Sequence, residues 1–282
     1  MTLISRPQAA AVVFADCELT AAQFSRITRW LYEHAGIRMR EGKEGLVRAR
    51  LTRRLRALDL TDFDTYLQRV ESEPDRREFA EMIDVLTTNK TSFLREAAHF
   101  DYLRAHVLPT LTGSVRLWSA GCATGEEAYT LAMLLNEAYP HIASRDVRVL
   151  ATDISHRVLG LAKAAIYTPE CMTDVPAEWV QHYWLQREDA QGRLAYEAMP
   201  TLRRLVNFAK LNLMETWPMQ GPFDAIFCRN VMIYFDKGTQ QRLVERFWGM
   251  LRPGGHLFVG HSESLTGLGH RFRYVQPAVY VK

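Results

Sequence analysis

The stretch VRLWSAGCATGEEAYTLAMLLNEA, residues 115–138, decides the fold. Val115–Ser119 is a short apolar run of strand length. Ala120-Gly121-Cys122-Ala123-Thr124-Gly125 is a tight loop, and Glu126–Ala138 brings Leu131, Leu134 and Leu135 inward at helical spacing. In α/β proteins a strand, a glycine loop and a helix in that order form a ligand-binding unit. Gly121 lets the backbone approach a ligand without a Cβ in the way. The glycines stand four apart, not in the G-x-G-x-x-G spacing of dinucleotide proteins, and the helix opens on Glu126-Glu127. Two carboxylates there repel a pyrophosphate. They suit a cationic ligand, one carrying an α-amino group or a sulfonium, or else they cap the helix.

Downstream the same rhythm repeats. Val147–Thr152 is a second strand ending at Asp153, with a helix around Arg157–Ala165. Phe223–Phe227 is another strand, Thr239–Leu251 a helix, Pro253-Gly254-Gly255 a turn, and His256–Gly260 and Tyr274–Val281 the last strands. Strands alternating with helices predict a mostly parallel sheet covered on both faces. The stretch from about Cys171 to Leu205 breaks the rhythm. It holds Trp179, Tyr183, Trp184, a polar turn at Arg187–Gly192 and a candidate strand at Arg193–Glu197, and reads as an inserted subdomain.

Upstream, residues 19–90 read as helical. Thr20 with Gln23 three residues on makes a capping box. A helix near Lys43–Leu58 places Val47, Leu51, Leu55 and Leu58 on one stripe, with Arg48, Arg50, Arg53, Arg54 and Arg56 on the remaining circumference. Thr61-Asp62-Phe63 and Glu73-Pro74 start two more helices. Residues 1–18 read as a flexible segment; Pro7 and the polar flanks of the Ala9–Ala15 run fit a secretion signal poorly. The α/β part is then 91–282, with the insertion at about 171–205.

The chain has 282 residues, 48% of them hydrophobic, and a net charge of +3. That supplies a sizeable core and argues against a strong polyanion binder, so no nucleic-acid partner is expected. Cys17, Cys122, Cys171 and Cys228 are far apart and form no C-x-x-C pair, so neither zinc nor a disulfide framework is indicated. His99 and His261 have no partner at ligand spacing, and no metal is expected. No apolar run approaches the length of a membrane span. The expectation is a soluble, cytoplasmic monomer.

Candidate site residues follow from strand ends. Asp153, at the end of the second strand, suits the two hydroxyls of a ribose. Asn212, in Leu211-Asn212-Leu213, stands where adenine contacts arise in such folds, or is an ordinary loop residue. In FDAIFCRNVMIYFD, residues 223–236, a buried strand runs into Arg229 and Asn230 at its carboxyl end, and Tyr234 returns a hydroxyl to the same edge. Amino-group methylases tend to carry Asn-Pro-Pro-Tyr or Asp-Pro-Pro-Tyr at this place. The Arg-Asn-Val-Met-Ile-Tyr found here disfavours a nitrogen acceptor.

TNKTSFLRE at 88–96, WSAGCATGEEAYT at 118–130, ATDIS at 151–155, FDAIFCRNVMIYFD and GHSES at 260–264 together resemble the chemotaxis receptor methyltransferase family, CheR, collinearly from about Leu19 to the end. The resemblance implies a helical N-terminal domain, a Rossmann-like S-adenosylmethionine-dependent methyltransferase sheet and a small inserted antiparallel β-subdomain. It implies methyl transfer from S-adenosylmethionine to glutamate carboxylates on the cytoplasmic signalling domain of chemoreceptors, leaving S-adenosylhomocysteine. Carried over by motif, Asn89, Thr91, Arg95, Gly121, Glu127, Asp153, Asn212, Leu213, Arg229 and Asn230 line the cofactor site. Arg95 and Tyr234 are the polar groups nearest the transferred methyl. Ala128 replaces the Pro that many relatives carry after the Glu pair. The Arg187–Gly192 turn has one glycine where relatives that bind a receptor's C-terminal peptide are richer, which argues against such docking. Because receptor methylation helices are acidic, Arg48, Arg53 and Arg56 become candidates for substrate docking; a solvated basic helix face explains them as well.

Rival readings are a methyltransferase on RNA or a small molecule, since fold does not fix substrate, and a non-catalytic sensor of S-adenosylmethionine. A dehydrogenase fits the loop and its acid pair poorly.

Overall fold

In the computed structural model, which describes residues 17–189 and 191–282, the chain divides into two units. One takes the residues up to Tyr32 with Met39–Thr87, the other Glu33–Arg38 with Thr88–Lys282. Of the expected 1–18 segment, residues 1–16 lie outside the described residues, as does Ala190 in the polar turn.

The first unit is helical: α1 (Ala21–Ala35, its last turn counted with the second unit), α2 (Glu44–Ala57), α3 (Phe63–Ser72) and α4 (Arg77–Leu86). Thr20 and Gln23 form the expected capping box, Thr20 N donating to Gln23 Oε1 at 2.9 Å and Gln23 N to Thr20 Oγ1 at 3.3 Å. Asp62 caps α3 through Thr65 N at 2.8 Å. The α2 stripe Val47, Leu51 and Leu55 is fully buried, and α4 packs against α2 and α3. On the polar side of α2 the arginines divide. Arg50 donates to the terminal carbonyls Leu86 O (2.7 Å) and Thr87 O (3.0 Å). Arg54 makes a bidentate pair with buried Glu78 at 2.9 and 2.6 Å, and Tyr66 donates to the same carboxylate at 3.0 Å. Arg48, Arg53 and Arg56 stay exposed.

The second unit is built on a seven-stranded sheet in the order β6-β2-β1-β7-β8-β10-β9. Its strands are β1 (Val115–Ala120), β2 (Val147–Asp153), β6 (Val206–Lys210), β7 (Phe223–Cys228), β8 (Leu251–Val259), β9 (Arg273–Gln276) and β10 (Val279–Val281). The first five run parallel; β10 runs against them, pairing antiparallel with both β8 and β9. Side chains alternate between two cores. Leu117, Val149, Ala225, Phe227 and Phe258 face one, with Leu131 and Leu135 of the helix at Glu126–Ala138. Trp118, Ala120, Ile226, Cys228 and Leu257 face the other, with Leu243 and Phe247 of the helix at Lys237–Met250.

The helices of this unit are α5 (Ala98–Tyr102), α6 (Glu126–Ala138), α7 (His156–Ala164), α8 (Ala177–Tyr183), α9 (Pro200–Arg203) and α10 (Lys237–Met250). Between α7 and β6 a three-stranded antiparallel sheet, β3 (Ile166–Tyr167), β5 (Leu194–Ala198) and β4 (Trp184–Glu188), forms the inserted subdomain. It starts before residue 171, because β3 follows directly on the left-handed Ala165 that ends α7. Two residues are too few to show a period. The last segment is a hairpin, not one strand: Pro277 has no N–H for the ladder and Ala278 sits at φ +61°. Pro253–Gly255 lies within β8 as a bulge, since Phe223 pairs with Leu251 and Ala225 with His256. No helix among the described residues is long and apolar enough to cross a membrane.

The order β2-β1-β7 places a topological switch point at the carboxyl ends of β1 and β7, where ligands of open α/β sheets bind.

Candidate functional site

At that crest the loops after β1 and β7 touch. Gly121 adopts φ +91°, and a Cβ there would lie 2.4 Å from Val231 Cγ2, so this position requires glycine twice over. Gly121 N and Cys122 N both donate to Thr152 O, at 2.8 and 2.9 Å. Asp153 then ties the two strand ends together: Ala123 N donates to Oδ2 and Ser155 N to Oδ1, each at 2.9 Å. These bonds take one acceptor direction on each oxygen. Burial, with Asp153 and Glu127 nearby, raises the Cys122 thiol well above its ordinary value, so it is an apolar part of the loop and no nucleophile.

The acid pair that opens α6 splits. Glu126 is buried and accepts from Thr124 Oγ1 at 2.7 Å; burial raises its pKa. It folds back on the loop before the helix and away from the crest. Glu127 turns to the crest, accepting from Ser119 Oγ at 2.6 Å and from Arg229 Nη1 at 2.9 Å.

Arg229 is the hub. Its side chain is 3% exposed, pairs with Glu127 and with Glu96 (3.1 Å), donates to Arg95 O, and lies over the Phe100 ring at 5.2 Å. The guanidinium is therefore enclosed between two carboxylates, and its reach to a ligand runs through the groups it orders. Burial opposes ionisation of Glu96, but the charge of Arg229 and hydrogen bonds from Arg229 and Asn230 outweigh it and lower its pKa. Leu94 (φ +51°) and Glu96 (φ +58°) are left-handed without being glycine, a conformation costing about 1–3 kcal/mol each. It persists because Glu96 is held by Arg229, by Asn230 Nδ2 (3.4 Å) and by His261 N (3.2 Å).

One expectation needs correction. Far apart in sequence, His99 and His261 do acquire a ligand-type neighbour: with Glu96 they bring ligand atoms within 4.8 Å of one another. The Glu96 carboxylate is already paired with Arg229, and a cation there would compete with the guanidinium. His99 is fully buried, and its pKa falls to about 4, first through desolvation and then through Arg229.

Asn212 is likewise spent within the protein. Its Nδ2 donates to His34 O (2.7 Å) and Glu215 Oε1 (3.1 Å), and its Oδ1 accepts from Met214 N (3.0 Å). Leu213 is buried beside it, and its carbonyl accepts from Arg246 Nη1 at 2.5 Å. Asn89 and Thr91 are half-buried on the segment leading into the Leu94 turn. Arg95, half-buried, donates to Lys90 O at 2.8 Å and has no carboxylate partner among the described residues. Tyr234 ends a 3-10 turn after β7, half-buried, and its carbonyl accepts from Arg38 N at 2.8 Å. Direct bonds thus join Arg229 to Glu127 and the Arg95 backbone, and Glu96 links Arg229 to Asn230. Arg95's guanidinium and Tyr234's hydroxyl share no bond. Arg48, Arg53 and Arg56 belong to the other unit.

Sequence reading passed over Ser119, Glu96 and Glu263. The two glutamates lie inside the quoted TSFLRE and GHSES motifs; an acid that follows a strand or a turn was the signal.

Comparison with known proteins bears on the whole chain. Residues 89–281 match the CheR methyltransferase SAM binding domain, and residues 22–87 match the CheR methyltransferase all-alpha domain. The chain belongs to the CheR family. It is 42% identical over 263 residues to the chemotaxis protein methyltransferase of Escherichia coli, covering 93% of this chain and 91% of that one. It is 41% identical over 244 residues to a probable chemotaxis protein methyltransferase of Rhizobium etli, covering 84% and 90%. It is 37% identical over 277 residues to the chemotaxis protein methyltransferase of Borreliella burgdorferi, covering 95% and 96%. As a CheR protein it is a SAM-dependent chemotaxis methyltransferase, and chemoreceptors are its substrates. The all-helical unit, the mixed sheet and the three-stranded antiparallel insertion are the architecture expected from the sequence.

Proposed function

We propose that the protein esterifies glutamate side chains of the receptor's cytoplasmic signalling domain by in-line displacement at the sulfonium methyl, with Arg95 and Tyr234 flanking the transfer. The observation that carries this reading is a contrast between neighbours. Arg229 is neutralised by two carboxylates, whereas Arg95 has none among the described residues. One uncompensated cation at the crest suits an anionic acceptor. A glutamate is already ionised at neutral pH, so no strong general base is needed. Catalysis then rests on alignment and partial desolvation of the attacking oxygen, with Arg95 orienting it by charge-assisted hydrogen bonds.

The bound donor supplies an electrophilic methyl. Asp153 would hold the ribose diol, with Glu127, Asn89, Thr91, Leu213 and Asn230 along the rest of the ligand. The fit rests on chemistry: Asp153 and Glu127 are acceptors at a crest where a diol and an ammonium need them. Arg48, Arg53 and Arg56 would receive the acidic receptor helix, an interaction that salt screens. The protein would do this in the cytoplasm, where those receptor domains lie.

The test is incubation with labelled S-adenosylmethionine and a purified receptor signalling domain. Label released by alkali is expected, because esters hydrolyse there and N-methyl groups do not. Arg95→Ala and Tyr234→Phe should keep S-adenosylhomocysteine binding yet lose most turnover, about 100-fold for Arg95→Ala. Wild-type rates in both would remove these roles.

A further inference from the structure

The loop after β7 carries Arg229, Asn230 and Tyr234. Val231 and Met232 pack it against the core, and its backbone amides need acceptors of their own. Asn230 stands at φ +58°, where a non-glycine residue needs external support. Its side chain is held by Glu96, and its backbone amide by Glu263. Glu263, 8% exposed, accepts from Asn230 N at 2.8 Å and Gly260 N at 2.5 Å on Oε2, and from Ile233 N at 3.1 Å on Oε1. Its own N–H donates to Gly260 O at 2.8 Å, closing the turn after β8. The carboxylate forms no ion pair among the described residues; its partners there are backbone amides. Such an arrangement is costly, because burial raises the Glu263 pKa against the amides that lower it. Gly260 completes it: a Cβ there would lie 2.5 Å from Asn230 Nδ2 and 2.9 Å from both Asn230 N and Glu263 Oε2.

We infer that Glu263, seated against Gly260, is a positioning residue for methyl transfer: its carboxylate is the template on which the amides of the β7 exit loop fold. Through them it fixes where Asn230 meets the cofactor and where Tyr234 meets the acceptor. The inference rests on the roles proposed above for those two residues. A carboxylate presents two acceptor oxygens to three N–H groups. A glutamine of the same size presents one oxygen and one donor, so one side of the loop loses its acceptor and meets an N–H instead. The β1 loop, held by Asp153 and Thr152, is untouched by the change.

The experiment compares full-length wild type, Glu263→Gln and Gly260→Ala. Thermal melting, S-adenosylhomocysteine binding by calorimetry and steady-state methylation of a receptor signalling domain are measured, with kcat counted per binding-competent molecule. A merely structural role would lower melting temperature and competent fraction but leave that normalised kcat unchanged. Positioning predicts a normalised kcat at least about tenfold lower in both variants, product affinity weakened several-fold, and an unchanged KM for the receptor. Gly260→Ala keeps the carboxylate and reaches the loop from the other side, so it decides the matter if Glu263→Gln does not fold. Wild-type normalised kcat in every variant that folds overturns the inference. Absence of turnover in the wild type would instead sink the glutamate-esterification reading on which it rests.

Discussion

Helix α2 and the crest of the sheet each gather arginines, and each region ties some of them to protein acceptors. On α2, Arg54 pairs with buried Glu78 and Arg50 with the last carbonyls of α4, while Arg48, Arg53 and Arg56 are exposed. At the crest, Arg229 is enclosed between Glu96 and Glu127 and Arg95 alone lacks a carboxylate partner among the described residues. The lesson is that an arginine's role is set by its partners. A guanidinium held between two acids orders the loops around it. One left without them keeps its charge uncompensated, the basis of the role proposed for Arg95.

The comparison can be broken where it is strongest. Arg229→Ala strands two half-buried carboxylates and is expected to cost up to about 3–5 kcal/mol, the range for one-sided removal of a buried pair. Cofactor binding should fall with it, measured by chemical denaturation and by S-adenosylhomocysteine calorimetry. A loss under about 1 kcal/mol would show that the hub is not what orders the crest. Arg54→Ala should approach the same stability loss by stranding Glu78, but product affinity per folded molecule should stay at the wild-type level.

Acid sharpens the contrast next. His99 and His256 have folded pKa values near 4, in both cases chiefly through burial. The unfolded chain takes these protons near pH 6.5, so the stability they contribute is present above that value and is lost as pH falls toward 4. Glu96, with a lowered pKa, adds a loss that starts as pH falls through the ordinary carboxylate range and is complete only below it. Melting temperature should therefore fall from pH 6.5 to 4, and the slope should be shallower in His256→Gln.

The smallest stability effect belongs to the exposed arginines. Arg53→Glu should change folding by less than about 0.5 kcal/mol. It should raise the KM for the receptor several-fold at low salt, with the difference shrinking as salt is added. Identical salt curves for mutant and wild type would make the exposed face of α2 a solvated surface and nothing more.

Much of the architecture was legible because its causes are local. The Thr20–Gln23 box, the Asp62 cap, the α2 stripe and the strand–loop–helix at 115–138 are written in spacings of two to four residues, and the structure holds each of them. Elements that depend on long-range pairing were harder. β3 is two residues long, β8 accommodates a Pro-Gly-Gly bulge, and the final strand folds back at Pro277.

The site divides along the same line. That Gly121, Asp153, Arg229 and Asn230 stand at strand ends follows from hydrophobic pattern and turn chemistry, and the motif order named the family. Which of Glu126 and Glu127 turns to the crest, that Asn212 spends its amide on His34, and that Glu96 and Glu263 hold loops brought from 30 or more residues away are contacts between distant segments. Chain spacing carries no record of such neighbours. Burial and hydrogen-bond satisfaction select them only once the sheet has brought its strand ends together.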